Sequence, residues 1–427
     1  MSATGSGDDG EQLALLAGPR RRSAPAAPGP DHELAPTAPV ARVAVDIELP
    51  HLDRTFDYAV PVDLDEVAQP GVRVRVRFAG RLLDGLLLER VENTDHAGRL
   101  ARLHKVVSPE PVLSPAIARL VRAVADRYAG SAADVLRLAV PPRHARVEAA
   151  SRPAAAEPAA ADATGPDDGT TATAPPLARP EPAGWVDYDG GVPLLDALAA
   201  GHAPRAAWTA LPGDRWPGEI AGAVATTVSG GRGALVVVPD VRDVARVDAA
   251  LSAALGPGRH VVLTADLGPA ERYRRWLAVR RGEVGVVVGT RAAMFAPVSD
   301  PGLFVVWDDG DDLHAEPRAP YPHVREVLAM RAAHESAGLL IGGWARTAEA
   351  AALVGAGWAR AVAPARAVVR AAAPRVTVAG DDAELSSDGA ARAARLPSVA
   401  WRTAREGLRH GPVLVQVPRG GYLPGLA

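Results

Sequence analysis

Ala234-Leu235-Val236-Val237-Val238-Pro239-Asp240 is five apolar residues with no polar alternation, closed by a proline and an aspartate. A strand with one face in water alternates, whereas a run apolar at every position belongs to a strand covered on both faces, as in parallel sheets. Working outward, Val241 to Ala254 has helical periodicity and His260 to Leu263 reads as a second strand. A helix from Pro269 to Arg281, strands Gly285 to Val288 and Leu303 to Val306, a helix from His323 to His334 and a strand Gly338 to Ile341 follow. Strands and helices that alternate in this way predict an α/β fold, a parallel sheet with helices on both faces.

The flanks read differently. Residues 1–38 mix Gly, Ser, Asp and Pro with the run Arg20-Arg21-Arg22 and show no sustained period, the composition of a disordered tail. Residues 39–146 form a small β-rich unit closed by helices: Val43 to Ile47 and Gly71 to Phe78 alternate as strands, and Ser114 to Tyr128 and Ala132 to Leu138 are helical. Residues 147–183 are almost entirely Ala, Pro, Thr, Asp and Gly, a flexible linker. The α/β lobe occupies 184–363. In 364–427 patterning fades until Val413 to Val417, which reads as one more strand before Arg419-Gly420-Gly421-Tyr422.

Composition narrows the function classes. The chain has 427 residues and a net charge of −3, so bulk charge neither requires nor excludes nucleic acid, and any DNA contact must be a local arginine patch. Apolar runs are too short to span a bilayer and no signal peptide is visible, which predicts a cytoplasmic protein without membrane contact. With no cysteine, disulfides and thiolate zinc sites are excluded from these residues. The acidic turn Asp308 to Asp312 lacks the glutamate that a calcium loop needs at its twelfth position, where Ala319 stands, and reads as a solvated turn. Lys105 is the sole lysine, with no glycine nearby, so no segment can supply the Gly-rich loop and ammonium of a phosphate-binding site. The residues alone leave Phe56-Asp57-Tyr58 as an ordinary strand. They place Arg73, Arg75 and Arg77 on one strand face, opposite Val72, Val74, Val76 and Phe78.

Arg281-Gly282-Glu283-Val284-Gly285-Val286-Val287-Val288-Gly289-Thr290-Arg291-Ala292-Ala293-Met294-Phe295-Ala296-Pro297 closely resembles a helicase motif of the primosomal protein N′ (PriA) family. In the same order, Gly268 to Leu277, Tyr321 to Arg331, Arg54 to Tyr58, Gly71 to Gly80, Pro111 to Leu113 and Tyr128 to Leu138 are similar to family segments. The resemblance runs from about residue 41 to 427 apart from the linker. It implies a DNA 3′-end-binding domain followed by a RecA-like helicase lobe of superfamily 2. It also implies that Phe56, Asp57, Tyr58 and Lys105 line a pocket for a terminal nucleotide. An aromatic there would stack on a base for about 1–3 kcal/mol, and the carboxylate would favour a 3′-hydroxyl over a phosphate. Arg54, Arg73, Arg75, Arg77, Thr290 and Arg291 become candidate DNA contacts.

The nucleotide motifs of that family are altered here. Ala210-Leu211-Pro212-Gly213-Asp214-Arg215-Trp216-Pro217 stands at the Walker A loop, with Trp216 at its lysine and Pro217 at its hydroxyl. Trp307-Asp308-Asp309-Gly310 replaces the Mg²⁺-binding Asp-Glu-Glu-His, and Gly342-Gly343-Trp344-Ala345-Arg346 replaces the coupling motif Gly-Ser-Ala-Thr-Pro. Gly213, Trp216, Pro217, Trp307 and Asp308 therefore mark a degenerate nucleotide site with no catalytic residues and ATP doubtful as a ligand. The family's winged-helix domain gives way to the Ala/Pro linker, and its zinc-binding cysteines would follow residue 427, so the chain reads as truncated before the zinc region.

The expectation is a DNA-binding protein of replication restart, associated with the nucleoid. It recognises stalled or forked DNA and single strands, and helps reload the replicative helicase without being a motor. Its implied partners are primosome and helicase-loading proteins and single-stranded DNA-binding protein, in a setting of DNA repair and recombination. The alternatives are an active ATP-dependent 3′-to-5′ helicase with a non-standard nucleotide site, and an unrelated α/β binding module.

Overall fold

The computed structural model describes residues 33–150, 177–376 and 398–416. Most of the expected tail and linker lie outside the described residues. Contacts divide the chain into a unit up to Ala365 and another from Arg366.

The first unit begins with five antiparallel strands: β1 Val40–Val45, β2 Thr55–Ala59, β3 Arg73–Phe78, β4 Arg81–Val91 and β5 Leu103–Ser108, in the order β2-β1-β4-β3-β5. A hydrogen bond from Ala59 N–H to Ala101 O, 2.9 Å, draws the two edges together. The interior is filled by Val43, Val72, Val74, Val76 and Leu87, all at 0% exposure, as strict alternation in β3 requires. Ala79 and Gly80, with φ of +46° and +80°, form the β3–β4 turn, whose left-handed backbone matches the twist of a two-residue hairpin. The long β4 is not foreseen in the sequence, because Ala-Gly is a weak turn signal beside Asn-Gly.

Helix α1, Pro115–Arg127, and α2, Ala132–Ala139, are N-capped by Ser114 and Ser131, which accept from Ile117 N–H at 3.3 Å and Asp134 N–H at 3.2 Å. They cover the outer face of the sheet through Leu86, Ile117, Leu120, Val121, Val124 and Val135. Helix α3, Ala145–Ala150, extends past residue 146 into the expected linker. Its Glu148 is 7% exposed and accepts hydrogen bonds from the Ser108 hydroxyl, the Arg143 guanidinium and the Tyr273 hydroxyl, the last at 2.9 Å.

Beyond come β6 Tyr188–Asp189, α4 Gly191–Ala199, β7 Arg205–Thr209, α5 Trp216–Ser229, β8 Gly233–Val237, α6 Val241–Leu255, β9 Val261–Leu263 and α7 Pro269–Arg280. They are followed by β10 Val286–Gly289, β11 Pro301–Trp307, α8 Val324–His334, β12 Gly338–Gly343, α9 Ala348–Gly355 and β13 Arg360–Pro364. The eight strands are ordered β6-β13-β7-β12-β11-β8-β10-β9 and all pair in parallel except β6 with β13. The α/β expectation holds, and every strand and helix named from Ala234 to Ile341 is present within two or three residues. Helix α5 escapes the sequence because it is buried on nearly every side, from Ala223 to Thr227, and so shows no amphipathic period.

The lobe and the N-terminal barrel pack together. Arg281 donates to both carboxylate oxygens of Glu110 at 3.0 and 2.9 Å, and His323 N–H donates to the Tyr128 hydroxyl at 3.0 Å.

In the second unit the described residues form helices Arg366–Ala372 and Ser398–Gly407. The strand expected at Val413 to Val417 is corrected: residues 413–416 are not in a strand, and Leu414 is 90% exposed. An apolar run needs a neighbouring edge to pair with, and this one has none among the described residues.

Candidate DNA-end site and a tryptophan cluster at the strand ends

Strand β2 divides its tripeptide between two faces. Phe56 and Tyr58 point into the barrel, where Phe56 meets Phe78 edge-on at 4.8 Å and carries the Arg54 guanidinium 5.1 Å above its ring. Tyr58 is 3% exposed, its hydroxyl donates to Arg77 O at 3.4 Å, and burial pushes its pKa up to about 12. Asp57 faces the other way, accepting from the Thr94 hydroxyl at 2.5 Å with Arg42 Nε 3.8 Å distant. The expectation that all three line one pocket is therefore corrected at Tyr58, whose ring is core and presents no face to a base. Phe56, half-buried beneath Arg54, keeps an accessible edge. Lys105 is exposed on β5, in register with Arg75 and on the far side of the sheet order from β2.

Two arginines of the β3 row, Arg75 and Arg77, are exposed, and the third is not. Arg75 pairs with Asp84 at 2.8 Å, Arg77 is exposed, and Arg73 is drawn inward to donate to Pro141 O at 2.5 Å. Thr290 is half-buried and its side chain caps nothing. The expected strand contact at Arg291 meets a different arrangement: its guanidinium donates to Glu316 at 3.0 Å, Leu313 O at 2.7 Å and Ala315 O at 3.2 Å, which fixes the 313–316 loop.

In open parallel sheets ligands bind outside the carboxyl ends of the strands, where the strand order reverses. Here β7 and β8 follow one another in sequence yet are separated by β12 and β11, so the crevice lies above the ends of β7, β11 and β12. Those ends supply Trp208 and Trp307, while Trp216 opens α5 and Trp344 follows β12. Trp216 and Trp307 are both 0% exposed and lie face to face, with ring centroids 4.2 Å apart and planes 5° from parallel. Trp208 packs on Trp307 at 5.4 Å, and Trp344 sets its edge to Trp307 at 5.1 Å and to Trp216 at 6.4 Å. Arg246 of α6 lies 4.9 Å over the Trp216 ring. A Cβ at Gly342 would come within 2.6 Å of the Trp208 ring and 3.1 Å of Trp307, so only glycine lets β12 pass beneath the cluster.

The three motif positions read from the sequence as separate losses thus meet as one aromatic cluster, a contact that only the fold reveals. The rim is acidic. The Asp243 and Asp308 carboxyls are both held above their ordinary values, first by burial and then by neighbouring aspartates, among them Asp311. Asp308 also adopts φ +53°. Gly213 keeps a left-handed φ of +107° and Pro217 is buried in the first turn of α5. Trp216 and Pro217 occupy the first turn of α5, where the backbone N–H groups of a phosphate-binding helix would face a nucleoside triphosphate, and carboxylates of the rim lie beside it. The solvated-turn reading of Asp308 to Asp312 is corrected at Asp309, which is 3% exposed and accepts from Arg325 at 2.7 Å and Thr347 at 2.8 Å. No cluster able to hold a metal occurs among the described residues, nor is any helix there long and apolar enough to cross a membrane.

Residues 42–141, the strands and first two helices of the barrel, match the 3′ DNA-binding domain (3′BD) family. Over 384 residues the chain is 53% identical to a probable replication restart protein PriA of Mycobacterium bovis, covering 89% of this chain and 56% of that protein. It is 52% identical to the Mycobacterium leprae counterpart over 385 residues, 89% and 57% of the two chains. The replication restart protein PriA of Bacillus subtilis is 29% identical over 119 residues, 28% of this chain and 15% of that one. The chain spans a little over half the length of the mycobacterial proteins it matches. The chain is thus similar over most of its length to replication restart proteins PriA, and residues 42–141 match the 3′ DNA-binding domain family.

Proposed function

We propose that the chain binds forked or stalled replication DNA through its 3′ DNA-binding domain and serves replication restart as a recruiting factor that drives no ATP-powered unwinding. The DNA-binding half of the reading is supported by the domain match over residues 42–141 and by the relatives' description as replication restart proteins. The non-motor half is carried by one observation, the parallel Trp216–Trp307 stack in the crevice where a nucleotide would lie. Reloading of the replicative helicase, contact with single-stranded DNA-binding protein and residence with the nucleoid in the cytoplasm follow as parts of the same proposal.

Two measurements on one preparation test it. Fork affinity is expected to be unchanged by ATP, and DNA-stimulated phosphate release is expected to be absent; turnover lost on substituting Trp216 or Trp307 would refute the non-motor reading. Asp57→Ala is expected to weaken binding to forks ending in a 3′-hydroxyl while leaving 3′-phosphate forks little changed. Equal loss on both would remove Asp57 from end recognition.

A further inference from the structure

On the outer face of the barrel sheet, away from the tryptophan cluster, a groove of about 410 Å³ runs between β3, β4 and α2. Its volume lies in the range of sites that take one small molecule or one unit of a polymer, about 300–1,000 Å³. The floor is apolar, made by Val107, Leu136 and Val140. The lining holds four arginines: Arg75 pairs with Asp84, Arg137 with Asp46 and Arg143 with Glu148, while Arg73 donates to Pro141 O. The Arg73 Nε–H is buried and has no hydrogen-bond acceptor, although buried guanidinium donors are ordinarily paired. Arg75 stands in register with Lys105 on the neighbouring strand, so positive charge continues past the groove mouth.

Resting on the DNA-binding reading above, we propose that this groove is a second nucleotide subsite. One sugar–base unit of a DNA strand lies on the Val107, Leu136 and Val140 floor, and its phosphate meets Arg73 and Arg75. Apolar floor and cationic wall are the two components that hold a single strand without reading its sequence. The Arg75–Asp84 pair is more than half exposed on both sides and opens at little cost, whereas the Arg143–Glu148 pair, with its carboxylate buried, stays closed.

The absence of cysteine from the sequence makes the test clean. Val107→Cys in the full chain introduces a lone thiol on the floor, and Val62→Cys, at a position 45% exposed on the barrel surface outside the groove, is its control. The probe is a 3′-tailed oligonucleotide duplex whose affinity is measured in parallel by fluorescence anisotropy. Saturating DNA is expected to slow alkylation of the Val107→Cys variant at least tenfold and to leave that of the Val62→Cys variant within twofold. Arg75→Ala, a surface change that preserves the fold, is expected to lower affinity three- to tenfold and to reduce the salt slope by about one unit of charge. DNA that binds without protecting the groove thiol overturns the subsite and leaves the DNA-binding reading standing, whereas no binding to any DNA overturns both. Protection by an acidic peptide and not by DNA would reassign the groove to a protein partner.

Discussion

Removing the Trp216 side chain separates a packed nucleotide crevice from an openable one. The ring is fully buried and stacks on Trp307 at 4.2 Å, with Arg246 above it. Truncating such a side chain costs about 3–5 kcal/mol, and the stack and the guanidinium contact place Trp216→Ala toward the upper part of that range. One effect works the other way: its Nε1–H is buried without an acceptor, so deleting it returns about 1–3 kcal/mol. The expected net loss is about 3 kcal/mol, roughly a hundredfold in the folding constant. It is read from urea unfolding followed by far-ultraviolet circular dichroism, because tryptophan emission changes with the substitution itself. Trp307→Ala and the double variant complete a cycle, with a coupling of about 1 kcal/mol expected for directly stacked rings. A loss below about 1 kcal/mol, or zero coupling, would refute the packed crevice. Purified Trp216→Ala that then hydrolyses ATP would show the ring to be a lid over a working site.

Other substitutions probe the surrounding structure. Because the Asp243 and Asp308 carboxyls are held above their ordinary values by burial and by neighbouring aspartates, their contribution to stability is fully present below the unfolded pKa of about 3.9 and lost as pH rises through the folded one. Asp308→Asn is therefore expected to raise the urea midpoint at pH 8 and to match the parent near pH 4, while asparagine keeps the φ of +53° accessible; an equal effect at both pH values would refute the repulsion. Gly342→Ala, which drives a methyl to 2.6 Å from the Trp208 ring, is expected to cost about 1–3 kcal/mol in the same unfolding assay, and a neutral result would show that the cluster is loose. Glu148→Ala is expected to cost about 3 kcal/mol, because it strands Arg143 and the Tyr273 hydroxyl at the seam between barrel and lobe. If hydrogen exchange on α3 and α7 were unchanged in that variant, Glu148 would not be the link.

Where burial is uniform, sequence and structure agree closely. Strands β8, β10 and β11 are apolar at every position because both faces are covered, and that pattern is legible without any partner being known. Helix α5 and strand β7 escape the sequence for a related reason: their alanines carry neither alternation nor a helical stripe, and only the tryptophans around them make them core. At the DNA end, β3 announces its two faces through Arg-Val repetition, while Phe56-Asp57-Tyr58 does not say which side is outward, since an aromatic on an edge strand serves equally as core or platform. Its partners Arg42, Thr94 and Phe78 lie 15 or more residues away in sequence. The Glu148 junction is hidden by composition, because Ala145–Ala150 sits at the head of an alanine-rich stretch that also carries carboxylates, and only Val147 gives it a large apolar side chain.

Trp216, Trp307 and Trp344 argue most strongly as a group. Each alone removes one element of phosphate binding, and each alone could be a tolerated accident on an otherwise usable scaffold. The fold places all three in mutual contact, with Gly342 making room below and Arg246 closing the face above. Restoring a lysine at 216 would set an ammonium against Trp307, and restoring an aspartate at 307 would leave a carboxylate among rings, so neither reversal is favourable while the others remain. The aspartates at the rim add a field of the wrong sign for phosphate. Packing of the four tryptophans therefore fills the strand ends with core, and the proposed non-motor role rests on that filling together with the acidic rim.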